Sequence, residues 1–359
     1  MNYLLEFFTV GLFFALNYLL RWACKTLPKE QWQFFAAVPR RKRSDGFWEA
    51  RNFTWYGALT SLAFLLAGGL IVIMTSSVGV KVEFVLLATV LLSLISLFAA
   101  RWVAQIVERI PNTHTVGGAV FVIALAIPVV LWLGSSISVY FGLEKVIGNL
   151  RPLDTLAVIA AIAIAYTYGE GVGRIACISF GCCYGKRVDN LTGVWYQIFS
   201  RMNFVFHGAT KKISYAAALE GIAVVPIQAI TAWIHIFTGS VGFWLFMKGQ
   251  IAASLLFVLV VSQGWRFLSE FMRTDFRGKG RVTAYQWMSL ATIALAFLYV
   301  SLFGSNLAIA GLPSFVEGMK GLWAPGPLVV LQLLALYVFV VTGKSSVTRS
   351  RMAMYLATE

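Results

Sequence analysis

The chain has 359 residues, of which 59% are hydrophobic and only 12% charged, and its mean hydropathy is +0.78. These values exclude a soluble domain with a single anchor and predict one polytopic membrane domain. The net charge of +14 is divided among clusters between apolar segments, which argues against nucleic acid as a partner and favours contact with anionic headgroups. Four cysteines, three of them close together, do not have the spread of a disulfide-stapled secreted domain.

Nine apolar segments have the length needed to cross a bilayer, about 20 residues each. The amino-terminal MNYLLEFF has neither a basic region nor a small-residue cleavage site, so we interpret it as a retained helix rather than a signal peptide. The sequence therefore predicts an all-α polytopic membrane protein with eight or nine transmembrane helices. The nine segments are 3–23, 53–76, 84–105, 117–141, 153–172, 216–238, 249–270, 283–304 and 326–343.

The segment 168–190, YGEGVGRIACISFGCCYGKRVDN, places glycines, cysteines and cations at the edge of an apolar helix. An arginine at membrane depth normally faces a polar cavity, because its burial in lipid is costly, and we expect this of Arg174. The glycines indicate that the helix breaks at 169–173 and that backbone amides approach an anion closely. We therefore expect a phosphate at headgroup depth, held by guanidinium groups and amides.

Two polar segments lie between the apolar ones. Residues 39–51 form a solvated basic segment, interpreted as a topology anchor that touches anionic headgroups, and residues 186–215 are long enough for a small extramembrane cap. When successive loops are assigned to alternate sides, 24 of the 29 Lys and Arg fall on the side that holds both segments, and 5 on the other. By the positive-inside rule the first side is cytoplasmic.

Aromatic and glycine residues mark two further helix starts. Trp55, Tyr56 and Gly57 open one apolar segment, and alone they would indicate an interfacial aromatic belt. The pair Gly117-Gly118 favours close helix contact. His114, just before that pair, is a candidate base or phosphate partner, although an isolated loop histidine is usually only solvated.

Two more segments place polar groups within apolar helices. Pro226 frees a carbonyl that neighbours or a cavity must satisfy, and Gln228 follows it. Arg266 and Glu270 are four residues apart, so they share a helix face on which an ion pair would form. Such a pair is commonly structural, but a second arginine at the end of a different span is what a two-arginine phosphate clamp requires.

Taken in order, these segments over residues 53–300 resemble the prolipoprotein diacylglyceryl transferase family. The matching residues are Trp55-Tyr56-Gly57 (an aromatic-Tyr-Gly opening), Gly117-Gly118 (a His-Gly-Gly), 173–185 (a signature that begins Gly-Arg-x-x-Asn and ends on Gly), Pro226 and Gln228 (a His-Pro-x-Gln), Arg266 to Glu270 (an Arg-Phe-x-x-Glu) and Gln286-Trp287.

The resemblance implies an enzyme of a prokaryotic inner membrane that moves a diacylglyceryl group from phosphatidylglycerol to the lipobox cysteine of a prolipoprotein. It also implies that Arg174 and Arg266 bind the phosphate, that Tyr56 positions the headgroup and that Glu270 orients Arg266. The further candidates for contact with the phosphate or for shaping its loop are Gly117, Gly118, Gly173, Gly181, Gly185, Lys186 and Gln228.

The resemblance also divides the chain into three parts. Residues 1–52 hold an extra helix and a basic loop, and residues 53–304 hold a seven-helix transferase-like core with its cap at about 186–215. Residues 305–359 hold a loop, a further extra helix and a basic tail. No cofactor is expected, and the partners implied are a membrane phospholipid and an acceptor protein or lipid.

The chain departs from the family pattern at four positions. Cys177 replaces an asparagine, Cys182 replaces an acidic residue, and Val116 and Val225 replace histidines. The phosphate-binding half is thus kept and the acid–base half altered, so His114 becomes a candidate substitute. The family's site faces outward, whereas the charge pattern places this site on the cytoplasmic side.

The three clustered cysteines are open to three interpretations. Cys177, Cys182 and Cys183 serve as small buried hydrophobes, or Cys182 acts as a nucleophile activated by a nearby cation, or the three bind a metal. We place the metal last and expect no metal site, because the spacing CxxxxCC lacks a paired CxxC or a nearby histidine. The functional alternatives are a cytoplasm-facing lipid-modifying enzyme with a lipid or small-molecule acceptor, and a non-catalytic lipid-binding or transport protein.

Overall fold

The computed structural model describes residues 2–29, 34–108, 116–145, 152–274, 282–304, 312–345 and 350–352. Within these ranges eight helices are long and apolar enough to cross a membrane, which confirms the predicted all-α polytopic class. The helices are α1 (Asn2–Thr26), α2 (Trp55–Ser77), α3 (Val82–Glu108), α4 (Val116–Tyr140), α5 (Pro152–Phe180), α6 (Gly193–Arg201), α7 (Lys212–Ala217), α8 (Ile227–Met247), α9 (Ile251–Ser269), α10 (Ala284–Phe303), α11 (Phe315–Trp323) and α12 (Pro325–Gly343).

The eight spanning helices are α1, α2, α4, α5, α8, α9, α10 and α12. The remaining predicted span, 84–105, corresponds to α3, in which Val82–Leu92 forms a shorter apolar helix segment. Helix α5 lies at the centre, where it packs against α2, α8 and α9. Its neighbours α2 and α8 are in turn covered by α12 and α1, the two helices outside the expected core.

Helix α5 runs unbroken to Phe180, so the break expected at 169–173 is wrong. The glycines serve helix packing instead. A Cβ on Gly171 would lie 3.2 Å from the carbonyl oxygen of Ala232 in α8, and one on Gly169 would lie 3.4 Å from Cβ of Ala67 in α2. Small residues at these positions therefore let both neighbours approach the central helix closely.

Helix α8 begins at Ile227, eleven residues later than the predicted span, because Pro226 occupies its N-cap. The residues before it belong to the cap, which is longer than predicted. Besides α6 and α7, the cap contains a two-stranded antiparallel sheet of β3 (Phe204–Val205) and β4 (Ala223–Val224). The exposed side chains of Trp195 and Tyr196 on α6 suit the headgroup region, where such aromatic residues concentrate.

The basic segment 39–51 is exposed at 39–47, as predicted, but it also forms strands that sequence reasoning did not anticipate. Strand β1 (Phe34–Lys42) pairs antiparallel with β2 (Trp48–Thr54), which also pairs with β5 (Ser350–Met352). The turn holds Asp45-Gly46, with φ of +85° at Gly46, and this dipeptide is a strong hairpin signal. The hairpin leads directly into α2 at the end of the bundle where α5 finishes.

Candidate anion-binding cleft

A small cleft opens where α5 and α9 end and α8 begins. Three elements of the central bundle and the loop after α5 therefore contribute to one site, at the same end as the cap and the basic hairpin. The lining residues are Glu170, Arg174, Cys183, Ile227, Gln228, Thr231, His235, Trp265, Arg266, Ser269 and Arg273. The structure thus brings together the predicted residues Arg174, Arg266 and Gln228.

Arg174 is held by a carboxylate on its own helix. Its Nε donates a 2.9 Å hydrogen bond to Oε1 of Glu170, one turn earlier in α5, and Nη2 donates to the same oxygen. The two side chains are only 12% and 8% exposed. This pair fixes the position of the guanidinium and leaves Nη1 for a ligand.

The buried charge of Arg266 has fewer bonded partners than that of Arg174. Its one hydrogen bond to a described side chain is a 3.4 Å bond from Nη1 to the hydroxyl of Tyr166 in α5. Within the described part of the chain no carboxylate lies within ion-pairing distance of it, although the residue is only 8% exposed. The nearby Glu170 interacts with it electrostatically but is already bonded to Arg174. Burying a charge that no carboxylate bonds to directly is costly, so this guanidinium is the strongest indication of an anionic ligand.

The expected pair between Arg266 and Glu270 does not form. Helix α9 ends at Ser269, and Glu270 begins a 3-10 turn (Glu270–Met272) that turns its carboxylate away from the helix face. Glu270 pairs instead with Arg273, at 3.9 Å between Oε1 and Nη1. The role of orienting an arginine of the cleft falls to Glu170 for Arg174 and to Glu270 for Arg273.

The charges lining the cleft are predominantly positive. Arg174, Arg266 and Arg273 contribute three positive charges and Glu170 one negative charge, and the pair with Glu270 offsets one further cation. An excess of guanidinium forks in a largely buried cleft suits a phosphate, whose oxygens accept two parallel hydrogen bonds from one fork.

Helix α8 contributes a histidine of defined tautomer. Nδ1 of His235 lies 2.9 Å from the carbonyl oxygen of Thr231, and a carbonyl only accepts, so Nδ1 carries the hydrogen. The lone pair is then on Nε2. The Thr231 hydroxyl accepts a 3.0 Å bond from Nε1 of Trp265, which fixes this wall of the cleft.

Gln228 connects α8 to the cysteine loop. Its Nε2 donates a 2.8 Å hydrogen bond to the carbonyl oxygen of Cys182. Its Oε1 is buried and has no partner among the described residues. Buried polar atoms are usually paired, so this oxygen is suited to accept a bond from a hydroxyl of a ligand.

The loop after α5 folds back on the helix end. Gly181 has φ of +66°, and the amides of Gly181 and Cys182 donate to the carbonyl oxygen of Cys177 at 2.9 and 3.2 Å. The sulfurs of Cys177, Cys182 and Cys183 consequently all lie within 4.8 Å of one another. Hydrogen bonds from the other two thiols, with the positive charges of Arg273 and Arg174, hold the pKa of the Cys183 thiol well below its usual value.

Lys211 fixes this loop from the cap. Its side chain is fully buried, and Nζ donates to the carbonyl oxygens of Ser179 at 2.8 Å and of Leu27 at 2.9 Å. It therefore caps the end of α5 and ties it to the segment after α1. Nothing in the polar sequence around it distinguished this lysine from a solvated one.

Several other predicted residues lie beside the cleft rather than in it. Tyr56 contacts the ring of Phe180 and lies close enough to Arg174 and the three cysteines to interact electrostatically. Lys186 is exposed on the loop, and its backbone amide bonds to the carbonyl of Met272.

The predicted glycines are structural in most cases. Gly185 lies where a Cβ would be 2.5 Å from the carbonyl oxygen of Val225, so it permits two chain segments to meet. Gly173 is within α5 and Gly181 makes the turn after it. Gly117 and Gly118 start α4, which supplies none of the described cleft residues, and His114 lies outside the described residues.

Sequence reasoning missed Glu170, Thr231, His235 and Arg273 as site residues. The spacing of four between Glu170 and Arg174 was a usable signal, because such residues share a helix face. His235, in contrast, lies two turns into an apolar helix, and only the packing of α8 against α5 shows that it faces the cleft. Gln286, matched to the family, caps α10 and bonds to the carbonyl of Phe267.

The fold defines an integral membrane protein with an arginine-lined cleft at the end of its central helix. A family model described as prolipoprotein diacylglyceryl transferase matches residues 48–302. The chain therefore belongs to the prolipoprotein diacylglyceryl transferase family, which confirms the resemblance drawn from its motifs.

Two curated relatives carry the same family name. The phosphatidylglycerol–prolipoprotein diacylglyceryl transferase of Clostridium tetani (strain Massachusetts / E88) is 26% identical over 166 residues, which are 45% of this chain and 58% of the relative. The phosphatidylglycerol–prolipoprotein diacylglyceryl transferase 2 of Clostridium perfringens (strain 13 / Type A) is 26% identical over 136 residues, 37% of this chain and 45% of the relative. The chain thus spans about half the length of these relatives. No solved structure matches it.

Proposed function

We propose that this protein transfers a diacylglyceryl group from an anionic phospholipid such as phosphatidylglycerol to a thiol acceptor, the lipobox cysteine of a prolipoprotein. The observation that carries the proposal is Arg266, a buried guanidinium without a carboxylate partner among the described residues, in a cleft that also holds Arg174. The family membership and the names of the two relatives support the same reaction.

The cleft suits the charge that this reaction develops. The acceptor sulfur forms a bond to the glyceryl carbon that carries the phosphate ester, and the bond between that carbon and the ester oxygen breaks. Glycerol phosphate leaves with the electron pair and gains a negative charge. Arg174 and Arg266 stabilise this charge as it forms, which is the type of interaction that lowers a barrier most.

The acceptor thiol must lose its proton, and His235 is the base that we assign to this step. Its hydrogen bond to Thr231 leaves the lone pair on Nε2, and the residue lines the same cleft as both arginines. In this chain it takes the place of the two family histidines that Val116 and Val225 replace. General bases in enzymes are most often histidines.

The charge asymmetry favours a second candidate: a lipid-modifying enzyme whose site faces the cytoplasm and whose acceptor is a lipid or small molecule. The structure places the exposed basic hairpin beside the start of α2, at the same end as the cleft. By the positive-inside rule that end faces the cytoplasm, whereas a lipobox acceptor after export requires the outer face.

Transfer by the purified full chain tests the proposal. The protein in lipid nanodiscs is supplied with phosphatidylglycerol labelled in its acyl chains and with a lipobox peptide. We expect a labelled diacylglyceryl thioether, and a loss of rate by about 10²–10³-fold in Arg174→Ala and Arg266→Ala. Arg201→Ala, on the exposed cap helix, is the matched control and should retain activity. Equal rates in all four proteins would overturn the proposal.

A further inference from the structure

The three cysteines at the end of α5 form a cluster that the phosphate site does not use. Their sulfurs lie within 4.8 Å of one another, and Cys177 and Cys182 are buried. A zinc ion bound by thiolates has Zn–S distances of about 2.3 Å, which places the sulfurs roughly 3.8–4.0 Å apart. The observed cluster therefore needs to contract by less than about 1 Å to surround a metal ion.

The backbone around the cluster is built to hold it. Gly181 turns the chain so that the Cys182 amide bonds to the Cys177 carbonyl, and Gln228 clamps the Cys182 carbonyl from α8. Cys183 has φ of +55°, a conformation that glycine adopts without strain and that side chains rarely adopt. If residue 183 served packing alone, glycine would occupy it with less backbone strain than cysteine. Strained residues persist mainly at functional sites.

Two arginines of the cleft lie near the cluster. Arg174 and Arg273, both lining the cleft, lie close enough to Cys183 to interact with it electrostatically. The alternative role for the cluster is nucleophilic catalysis. A cysteine that attacked the lipid would form a thioether with the glyceryl carbon, and a thioether transfers its alkyl group poorly to an acceptor.

We propose that Cys177, Cys182 and Cys183 bind one zinc ion as three thiolates. Thiolate ligands select soft or borderline metals, and three protein ligands leave a fourth position open, as in catalytic zinc sites. Cys183 is the member of the cluster that lines the cleft, so the open position belongs on that side.

A role for this ion in transfer rests on the proposed function, although the metal site itself does not. A thiol that coordinates zinc loses its proton. An acceptor cysteine at the open position is thereby activated as a thiolate beside the lipid phosphate, and His235 receives the proton. This explains why the chain carries cysteines where the family has an asparagine and an acidic residue.

Metal content of the purified full chain tests the site without lipid or acceptor. The protein is loaded with zinc chloride, passed through a desalting column and analysed by elemental mass spectrometry. We expect one equivalent per chain in the wild type and in Cys24→Ser, the matched control outside the cluster, and no retained zinc in Cys177→Ser, Cys182→Ser or Cys183→Ser. A folded, monodisperse wild type that retains no zinc, or cluster variants that retain as much as the wild type, would overturn the proposal.

Thiol alkylation of the wild type keeps the test independent of how the variants fold. Added zinc is expected to protect Cys183, the cluster member that lines the cleft, from a small maleimide and to leave Cys24 unaffected. Equal labelling of Cys183 with and without zinc would contradict the site. The transfer assay separates the two proposals. Normal transfer without zinc binding removes only the metal site, whereas zinc binding without transfer removes only the proposed reaction.

Discussion

Nε of Arg174 donates a 2.9 Å hydrogen bond to Oε1 of Glu170, one helical turn before it in α5. Because this carboxylate is buried and bonded to the guanidinium through two nitrogens, it sets the direction in which the remaining nitrogen points into the cleft. Glu170 is therefore a positioning residue in our account, not a group that touches the lipid.

Glu170→Gln should lower kcat/KM for transfer by about 10- to 100-fold, because the amide binds the guanidinium less firmly and a small misplacement of a catalytic group is costly. If Glu170 acts through Arg174, the double variant Glu170→Gln/Arg174→Ala should be no slower than Arg174→Ala. Glu6→Gln, at the opposite end of the bundle, is the control. Additive losses in the double variant would show that Glu170 acts on its own.

His235→Gln should reduce kcat by about 10²–10⁴-fold while leaving the affinity for phosphatidylglycerol unchanged, because a general base acts on the acceptor and not on the phosphate. The measurement is steady-state transfer together with lipid binding by native mass spectrometry. His207→Gln, an exposed residue of the cap, is the matched control. A variant that binds lipid less well but turns over normally would contradict the assignment.

Gly185 and Gly173 should respond differently to alanine. A Cβ at 185 would lie 2.5 Å from the carbonyl oxygen of Val225 and 2.7 Å from its Cβ, so Gly185→Ala should destabilise the protein by about 1–3 kcal/mol. A Cβ at 173 would meet nothing within 4 Å, and alanine is favoured in a helix by about 1 kcal/mol. Thermal unfolding in detergent, followed by tryptophan fluorescence, should give a lower Tm for Gly185→Ala only. Equal Tm values would mean that Gly185 is not a packing glycine.

The side on which the cleft opens is predicted by charge to be cytoplasmic. Lys186→Cys lies beside the cleft and Lys145→Cys at the opposite end of the bundle, and both positions are exposed. The second candidate, in which the cleft opens to the cytoplasm, predicts that in intact cells a membrane-impermeant maleimide labels Lys145→Cys and not Lys186→Cys. The reverse pattern would place the cleft outside, as a lipobox acceptor requires, and would overrule the positive-inside interpretation.

The fold class and part of the candidate site could be predicted from the sequence. Apolar length identified the spanning helices, and the two arginines expected to bind a phosphate, Arg174 and Arg266, line one cleft. Their role in binding an anion stays a prediction. The prediction that failed concerns local geometry, the pair between Arg266 and Glu270. The end of α9 at Ser269 turns Glu270 away from Arg266, and helical spacing alone does not show where the last turn tightens.

The glycines of the central segment show a second limit of sequence reasoning. Glycines beside an arginine resemble an anion-binding loop, but Gly169 and Gly171 lie inside an intact helix that two other helices approach. Their role depends on neighbours far away in the sequence. The spacing CxxxxCC likewise does not reveal that the turn at Gly181 brings the three cysteine sulfurs together.

We propose that this chain transfers diacylglyceryl groups by means of an arginine-lined cleft, and mass spectrometry of membrane proteins from cells tests this most directly. Cells without the protein are compared with cells that express the wild type, Arg266→Ala or Arg201→Ala at equal levels. We predict a diacylglyceryl adduct on lipobox cysteines in the wild type and Arg201→Ala, and its loss in Arg266→Ala. Lipoproteins that are unmodified in every strain, or modified equally in Arg266→Ala, would contradict the account.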